Sequence, residues 1–217
     1  EIVERRWYSV QTQNPDGTVN WESDVEEIPV VAFEDIETDA QGRAEVSFTP
    51  PNGGVFKAIV TSRDDQGNPA RAAAYMWVSS SDYVAWRQTD DRSLDLIMDK
   101  DRYAPGETAE ILIASPFQGQ SYALVTVERG HIRSTDVILL TSNSYIYELP
   151  VSAEMAPNIY VSVTVIKGAD EAGPPDFRMG MAEFDVETNE QTINVEIIPE
   201  AEQVGPGDQV SYTVRTT

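Results

Sequence analysis

The sequence contains no cysteine, and its 217 residues include one histidine, His131. Without cysteine these residues hold no disulfide, thiolate metal site, cysteine nucleophile or thioester. With one histidine a His-rich metal centre is impossible, and any Ser-His-Asp arrangement must be built around His131. Basic residues are scarce as well, 15 against 37 acidic ones, for a net charge of −22. Such a chain repels phosphate backbones and anionic lipid, so neither nucleic-acid binding nor membrane insertion by this segment is expected. No apolar run reaches the roughly 18 residues of a membrane helix, and residues 1–30 carry no charged-then-apolar leader. The chain opens on Glu1 and stops inside an alternating run, so both ends are expected to be cuts through a longer protein.

At 41% apolar and 24% charged, the composition is that of a folded chain. Nowhere do apolar residues recur at helical spacing over three turns, whereas period-two alternation with β-branched and aromatic residues is frequent. The alternation predicts strands over 2–11, 28–38, 43–49, 54–63 and 70–79. Glycine-bearing turns separate them, such as Asn14-Pro15-Asp16-Gly17 and Asp39-Ala40-Gln41-Gly42. After a polar bridge at 87–92 come seven more, over 93–98, 107–114, 121–128, 131–139, 144–150, 158–166 and 178–187. The stretch from Lys167 to Phe177, with Gly168, Gly173, Pro174 and Pro175, reads as a solvated loop. A second polar bridge, Thr188 to Gln191, precedes two last strands at about 192–198 and 208–215.

Aligning the two bridges exposes an internal repeat. Leu94-Asp95-Leu96-Ile97-Met98 leads into Pro105-Gly106-Glu107, and Val195-Glu196-Ile197-Ile198 leads into Pro206-Gly207-Asp208, 101 residues later. Seven strands in about 100 residues match an immunoglobulin-like β-sandwich. The predicted fold is therefore all-β, tandem seven-stranded sandwiches with incomplete terminal units. The units are 1–90, lacking its first two strands; 91–189, complete; and 190–217, the first two strands of a further one. On strand arithmetic, residues 192–215 either add to 2–79 of the same or a neighbouring molecule or stay poorly ordered.

Chemistry is sparse. His131 sits in Arg129-Gly130-His131 between two strands, a turn rather than a cleft, so a general-base role is not assigned. The acidic turns at Asp35–Asp39, Asp64-Asp65 and Asp99–Asp101 lack the spacing of a calcium loop and read as solvated turns. With 37 acids, a pair close in sequence is no argument for glycoside hydrolysis. Trp7 and Trp77 are expected in the core and Trp86 as a wedge at the domain boundary. No catalytic, cofactor-binding or metal-binding residue is assigned, and no cofactor is expected.

One stretch carries a family resemblance. Met98-Asp99-Lys100-Asp101-Arg102-Tyr103-Ala104-Pro105-Gly106-Glu107-Thr108-Ala109, then Ile113-Ala114-Ser115-Pro116-Phe117 and Ala123 to Gly130, resembles the alpha-2-macroglobulin family, especially its bacterial members. Pro150-Val151, Ala156 to Val163, Thr38 to Ala44, Gly54-Val55-Phe56 and Met76-Trp77-Val78 extend the likeness over nearly the whole chain. The resemblance implies seven-stranded macroglobulin-like domains, in agreement with the strand count. It also implies a non-enzymatic scaffold from a broad-range endopeptidase inhibitor, upstream of the bait segment whose cleavage springs the trap. Implied partners are endopeptidases, met through the full-length protein, and neighbouring macroglobulin-like domains. The implied location is extracellular or periplasmic, with membrane anchoring through the rest of the protein as an option. Nothing here matches the family's cysteine-to-glutamine thioester, and no role transfers to His131. The competing reading is a tandem-sandwich adhesin or surface stalk.

Overall fold

The computed structural model describes residues 1–17, 19–169, 174–188 and 192–216, with the backbone alone for Val19. Part of the predicted loop, Asp170 to Gly173, and part of the second bridge, Asn189 to Gln191, lie outside the described residues. Among the described residues every element is a strand except one 3-10 turn at Ala153–Met155.

The first part is a single four-stranded antiparallel sheet. It comprises β1 (Ile2–Gln13), β2 (Val19–Val31), β3 (Gly54–Arg63) and β4 (Pro69–Val78), in the order β2-β1-β3-β4. This corrects two expectations. The second strand begins at Val19, not 28, because the Asn14–Gly17 turn folds the chain straight back and pairs Gln13 with Val19 through to Ile2 with Val31. Its middle, Glu22 to Glu27, alternates through acids instead of apolar residues, which hid it. Residues 43–49 form no ladder. They pass beside the sheet without regular structure, and Phe48 sets its ring 5.9 Å from that of Phe56.

All seven runs expected in the second part are strands: β5 (Asp95–Met98), β7 (Thr108–Ala114), β8 (Ser121–Glu128), β9 (Ile132–Leu140), β10 (Ser144–Pro150), β11 (Asn158–Lys167) and β12 (Asp176–Val186). A two-residue strand, β6 (Arg102–Tyr103), joins them by pairing in parallel with the end of β12. The strands form two sheets, β10-β7-β5 and β6-β12-β11-β8-β9. Period-two alternation turns Ile111 and Ile113 from one sheet, and Val125, Val127, Val161, Val163, Val165 and Phe184 from the other, into one buried cluster. This is a β-sandwich. Gly180 is required where β12 passes the chain entering β5, because a Cβ there would stand 2.2 Å from the Leu94 carbonyl oxygen.

The last two strands, β13 (Val195–Pro199) and β14 (Tyr212–Thr216), pair with each other in a two-stranded sheet. Pairing of this segment with residues 2–79 of the same chain is therefore not observed: each strand finds its ladder partner inside the hairpin. The internal repeat, by contrast, is reproduced in register. Met98 faces Ile111 and Pro199 faces Tyr212, and every β13–β14 pair from there to Glu196–Arg215 is a β5–β7 pair moved by 101 residues.

Candidate functional site

The residues that carry the family resemblance build a corner of the sandwich. Tyr103 is fully buried, with its ring edge-on to Phe184 at 4.8 Å. Its hydroxyl donates to Asp99 Oδ1 at 2.6 Å, and that oxygen also accepts the Glu110 N–H at 2.8 Å. Burial and the Asp99 carboxylate together push the Tyr103 phenol well above its ordinary range. At the turn itself Gly106 takes φ +94°, which favours glycine. Glu107 then caps the turn, accepting from the Ala104 N–H at 2.9 Å and from Lys100 Nζ at 2.9 Å. The Lys100 ammonium, followed by that backbone donor, holds the Glu107 carboxyl below the usual carboxylate range. The acid after Pro-Gly thus closes the corner, a role more specific than merely starting a strand. The Asp99 oxygen is thus shared between the phenol and the backbone, and the Tyr103 hydroxyl in turn accepts the Lys100 N–H at 3.1 Å.

His131 lies exposed in the β8–β9 turn, where the Arg129 N–H donates to its carbonyl at 3.0 Å. The acidic turns also use their carboxylates on backbone. Asp39 Oδ1 accepts from the Gln41 and Arg43 N–H groups, and Asp64 Oδ1 from those of Gln66 and Asn68. Those bonds to Asn68 and its neighbours lower the Asp64 carboxyl below its ordinary range. Two tryptophans depart from expectation. Trp77 is 41% exposed on β4 beside Tyr75, at the rim of a small pocket that it shares with Ile97, Leu112 and Ile146 of the sandwich. Trp7 is half-buried with the guanidinium groups of Arg5 and Arg87 at 5.1 and 5.3 Å from its ring centre, a cation–π site and not a core position.

Trp86 is the wedge expected of it, and it belongs to a joint that the sequence conceals. The strap 80–90 runs between the first sheet and the sandwich. Asn143, buried in the turn between β9 and β10, gives both ends of its amide to Val84, accepting from its N–H at 2.9 Å and donating to its carbonyl at 2.7 Å. The Trp86 indole N–H donates to the Asn143 carbonyl at 2.8 Å. On the opposite side the Gln88 N–H donates to Ser9 Oγ at 3.2 Å, the Ser23 hydroxyl donates to the Gln88 carbonyl at 2.7 Å, and the Trp21 N–H donates to Asp90 Oδ1 at 2.6 Å. Val84 and Trp86 pack with Val55 of the first sheet and with Leu112 and Ala114 on the outer side of β7, making a small core shared by both units. Beside it opens a cleft of about 620 Å³, with Trp7, Trp21, Trp86 and Phe117 among its walls. Sequence reasoning missed this joint: Thr141-Ser142-Asn143-Ser144 has the composition of an ordinary turn, and Arg87 to Asp91 that of a free linker.

Residues 94–217, more than half of the chain, match the model of the alpha-2-macroglobulin bait region domain. The chain belongs to the alpha-2-macroglobulin family. It is 25% identical over 207 residues to an alpha-2-macroglobulin homolog of Nostoc, covering 92% of this chain and 11% of that protein. It is 28% identical over 185 residues to the homolog of Deinococcus radiodurans, covering 83% and 17%. The alpha-2-macroglobulin of Escherichia coli is 26% identical over 178 residues, covering 79% and 10%. The chain thus spans between about a tenth and a sixth of these relatives. Among solved structures, the native conformation of the E. coli alpha-2-macroglobulin aligns over the whole chain and 13% of its own, at 18% identity and a TM-score of 0.38. The relatives are bacterial, as the resemblance implied.

Proposed function

We propose that this chain is a non-catalytic scaffold segment of a bacterial alpha-2-macroglobulin-like inhibitor of endopeptidases, held outside the cytoplasm. The observation that carries the reading is the match over residues 94–217 to a domain described by its bait region. Endopeptidases are the partners of the full-length protein, and neighbouring macroglobulin-like domains are the partners of this segment. In that protein the strap 80–90 couples a rearrangement of one unit to the other, since bonds from Asn143 on one side and from Ser9 and Ser23 on the other fix it to both.

The test has two arms. The 217-residue chain alone is expected to leave cleavage of a large substrate by trypsin-like and elastase-like proteases unchanged. The full-length protein is expected to slow that cleavage, and Asn143→Ala within it to weaken the inhibition several-fold. Saturable inhibition by the chain alone, or none by the full-length protein, would overturn the proposal.

A further inference from the structure

β3 leaves β1 early. Residues Ile2 to Arg5 pair with Ala58 to Val55, and beyond Arg5 the strand has β2 on one side and no ladder on the other. Register decides which main-chain groups are left over. In an antiparallel ladder one residue turns both its N–H and its C=O to one neighbour, and the next residue turns both to the other. The Ile59 N–H donates to the Glu1 carbonyl at 2.8 Å, and the Glu1 ammonium to the Ile59 carbonyl at 3.0 Å, so the odd-numbered residues of this stretch address β3. The β2 side agrees. Val25, opposite Trp7, gives its N–H to Asp24 Oδ1 at 2.8 Å, and Trp21, opposite Gln11, gives its own to Asp90 Oδ1 at 2.6 Å. Trp7, Ser9 and Gln11 therefore turn three N–H and three C=O groups to the side that β3 has vacated. Among the described residues no hydrogen bond meets any of the six.

The open edge lies in the cleft beside the joint. All five residues from Trp7 to Gln11 line it, side chains of both faces included, so the cleft runs along the edge and not over one face. Its far wall holds Phe117 with Lys167, Arg178 and Asp176, two cations to one acid in a chain of net charge −22.

We propose that this edge is a strand-addition site, and that its occupant is an extended segment from elsewhere in the longer protein, apolar at alternate positions and free of basic side chains. The inference rests on the proposed reading of the chain as one segment of a longer inhibitor. Hydrogen-bond complementarity selects an extended backbone: donors and acceptors recurring every second residue, at about 3.4 Å per residue, are met in register by another strand. The wall's two cations to one acid exclude a basic segment. Length selects the source. The chain covers 11% of the Nostoc homolog, so most of such a protein lies outside these residues. A segment tethered to the same molecule is present at an effective concentration on the order of millimolar, above that of a separate peptide. The last two strands of this chain do not compete, since β13 and β14 take each other as ladder partners. Covering the edge also removes a hazard. Tyr8 and Val10 beside it are 48% and 59% exposed, and an apolar open edge is a template for unwanted pairing.

Amide hydrogen exchange, resolved to single residues in the 217-residue chain and in the full-length protein, tests this. In the chain alone Trp7, Ser9 and Gln11 are expected to exchange fast, while Tyr8 and Val10, whose N–H groups point to β2, stay slow. In the full-length protein the three fast amides should slow on the order of 100-fold. Val10→Asp sets a carboxylate beside the added strand, and Gln11→Pro removes a donor that β2 does not use. Each variant, made in the full-length protein, should return Ser9 to fast exchange, and neither should alter the melting temperature of the 217-residue chain by more than a degree or two. Equal rates at the three amides in both proteins would overturn the inference. Slowing that survives both variants would overturn it by tracing the protection to burial and not to a ladder. Slowing that appears only when another protein is added would overturn it by making the occupant a separate chain. None of these readouts uses a protease, so a full-length protein that protects the three amides and yet fails to inhibit would overturn the proposed function and leave the added strand in place.

Discussion

The Pro-Gly-acid corner occurs twice, with the same bonds and different surroundings. Gly106 and Gly207 both take φ +94°. Glu107 accepts the N–H of Ala104 at 2.9 Å, and Asp208 that of Gly205 at 2.7 Å. Asp99 bonds through its N–H to the Glu110 carbonyl at 3.2 Å, and Glu200, 101 residues on, to that of Ser211 at 3.0 Å. Yet the first corner is anchored by Tyr103 in a closed core, whereas the equivalent position of the second is Val204, half-exposed, on a hairpin whose Val195, Ile197 and Val214 all face solvent. Turn and register are thus local properties, set by a handful of residues that bond to one another. Burial is not local, because it needs a second sheet, and among the described residues only the first copy has one.

The comparison can be broken most severely at Gly180. Gly180→Ala forces a Cβ against the Leu94 carbonyl, a backbone group that cannot swing aside. A loss of about 3 kcal/mol or more is expected in denaturant unfolding followed by circular dichroism. An unchanged midpoint would mean that the entry to β5 is not held against β12. Next comes the anchor. Tyr103→Phe removes the hydroxyl that Asp99 accepts from and should lower stability by about 2 kcal/mol. Val204→Tyr, by contrast, should change the main transition little, having no core to enter. Equal effects from the two would refute the distinction between anchored and unanchored corners.

How far the chain could be read from its letters follows the same division. The seven runs of the sandwich were legible because most of them repeat buried apolar residues at period two, as in Ile111 and Ile113, Val125 and Val127, and Val161, Val163 and Val165, and Gly106 with Glu107 marked the corner. The hairpin of β1 and β2 was misread because its outer strand alternates through Glu22, Asp24 and Glu26, side chains that serve solvent and not a core. The joint was illegible for a different reason. Asn143 acts on the backbone of Val84, 59 residues away, and a side chain that mimics a strand partner leaves no pattern around itself. Exposure of Trp77 could not be foreseen either, since alternation reveals that a strand has two faces and not whether both are covered.

Smaller effects sharpen the contrast. Glu107→Gln should lower the melting temperature measurably. Asp208→Asn should leave the main transition in place and instead speed hydrogen exchange at the Gly205 amide, whose acceptor it weakens. Alkali should act on the sandwich through its buried phenols. Burial, and a bond to Asp136 at 2.7 Å, raise the Tyr147 phenol to about 12, and Tyr103 is raised as well. A free phenol ionises near 10, so above that pH the unfolded chain gives up its protons first and unfolding is favoured. Stability is therefore full below about pH 10 and falls as pH climbs toward the folded values. Melting temperatures across this range, with phenolate absorbance recorded alongside, should show Tyr103→Phe to be less sensitive to alkali than the parent sequence. Identical slopes would exclude Tyr103 as a source of the loss.

The strap between the units has a mechanical consequence. Its bonds to Asn143 lie on one side and those to Ser9 and Ser23 on the other, so it is stitched along its length like a seam. Tension applied along a seam loads the stitches together, and they must fail at once. A twist about the same line loads them in turn, beginning at one end. The joint is consequently stiff when pulled and yielding when turned, so motion passed from one unit to the next would travel as rotation.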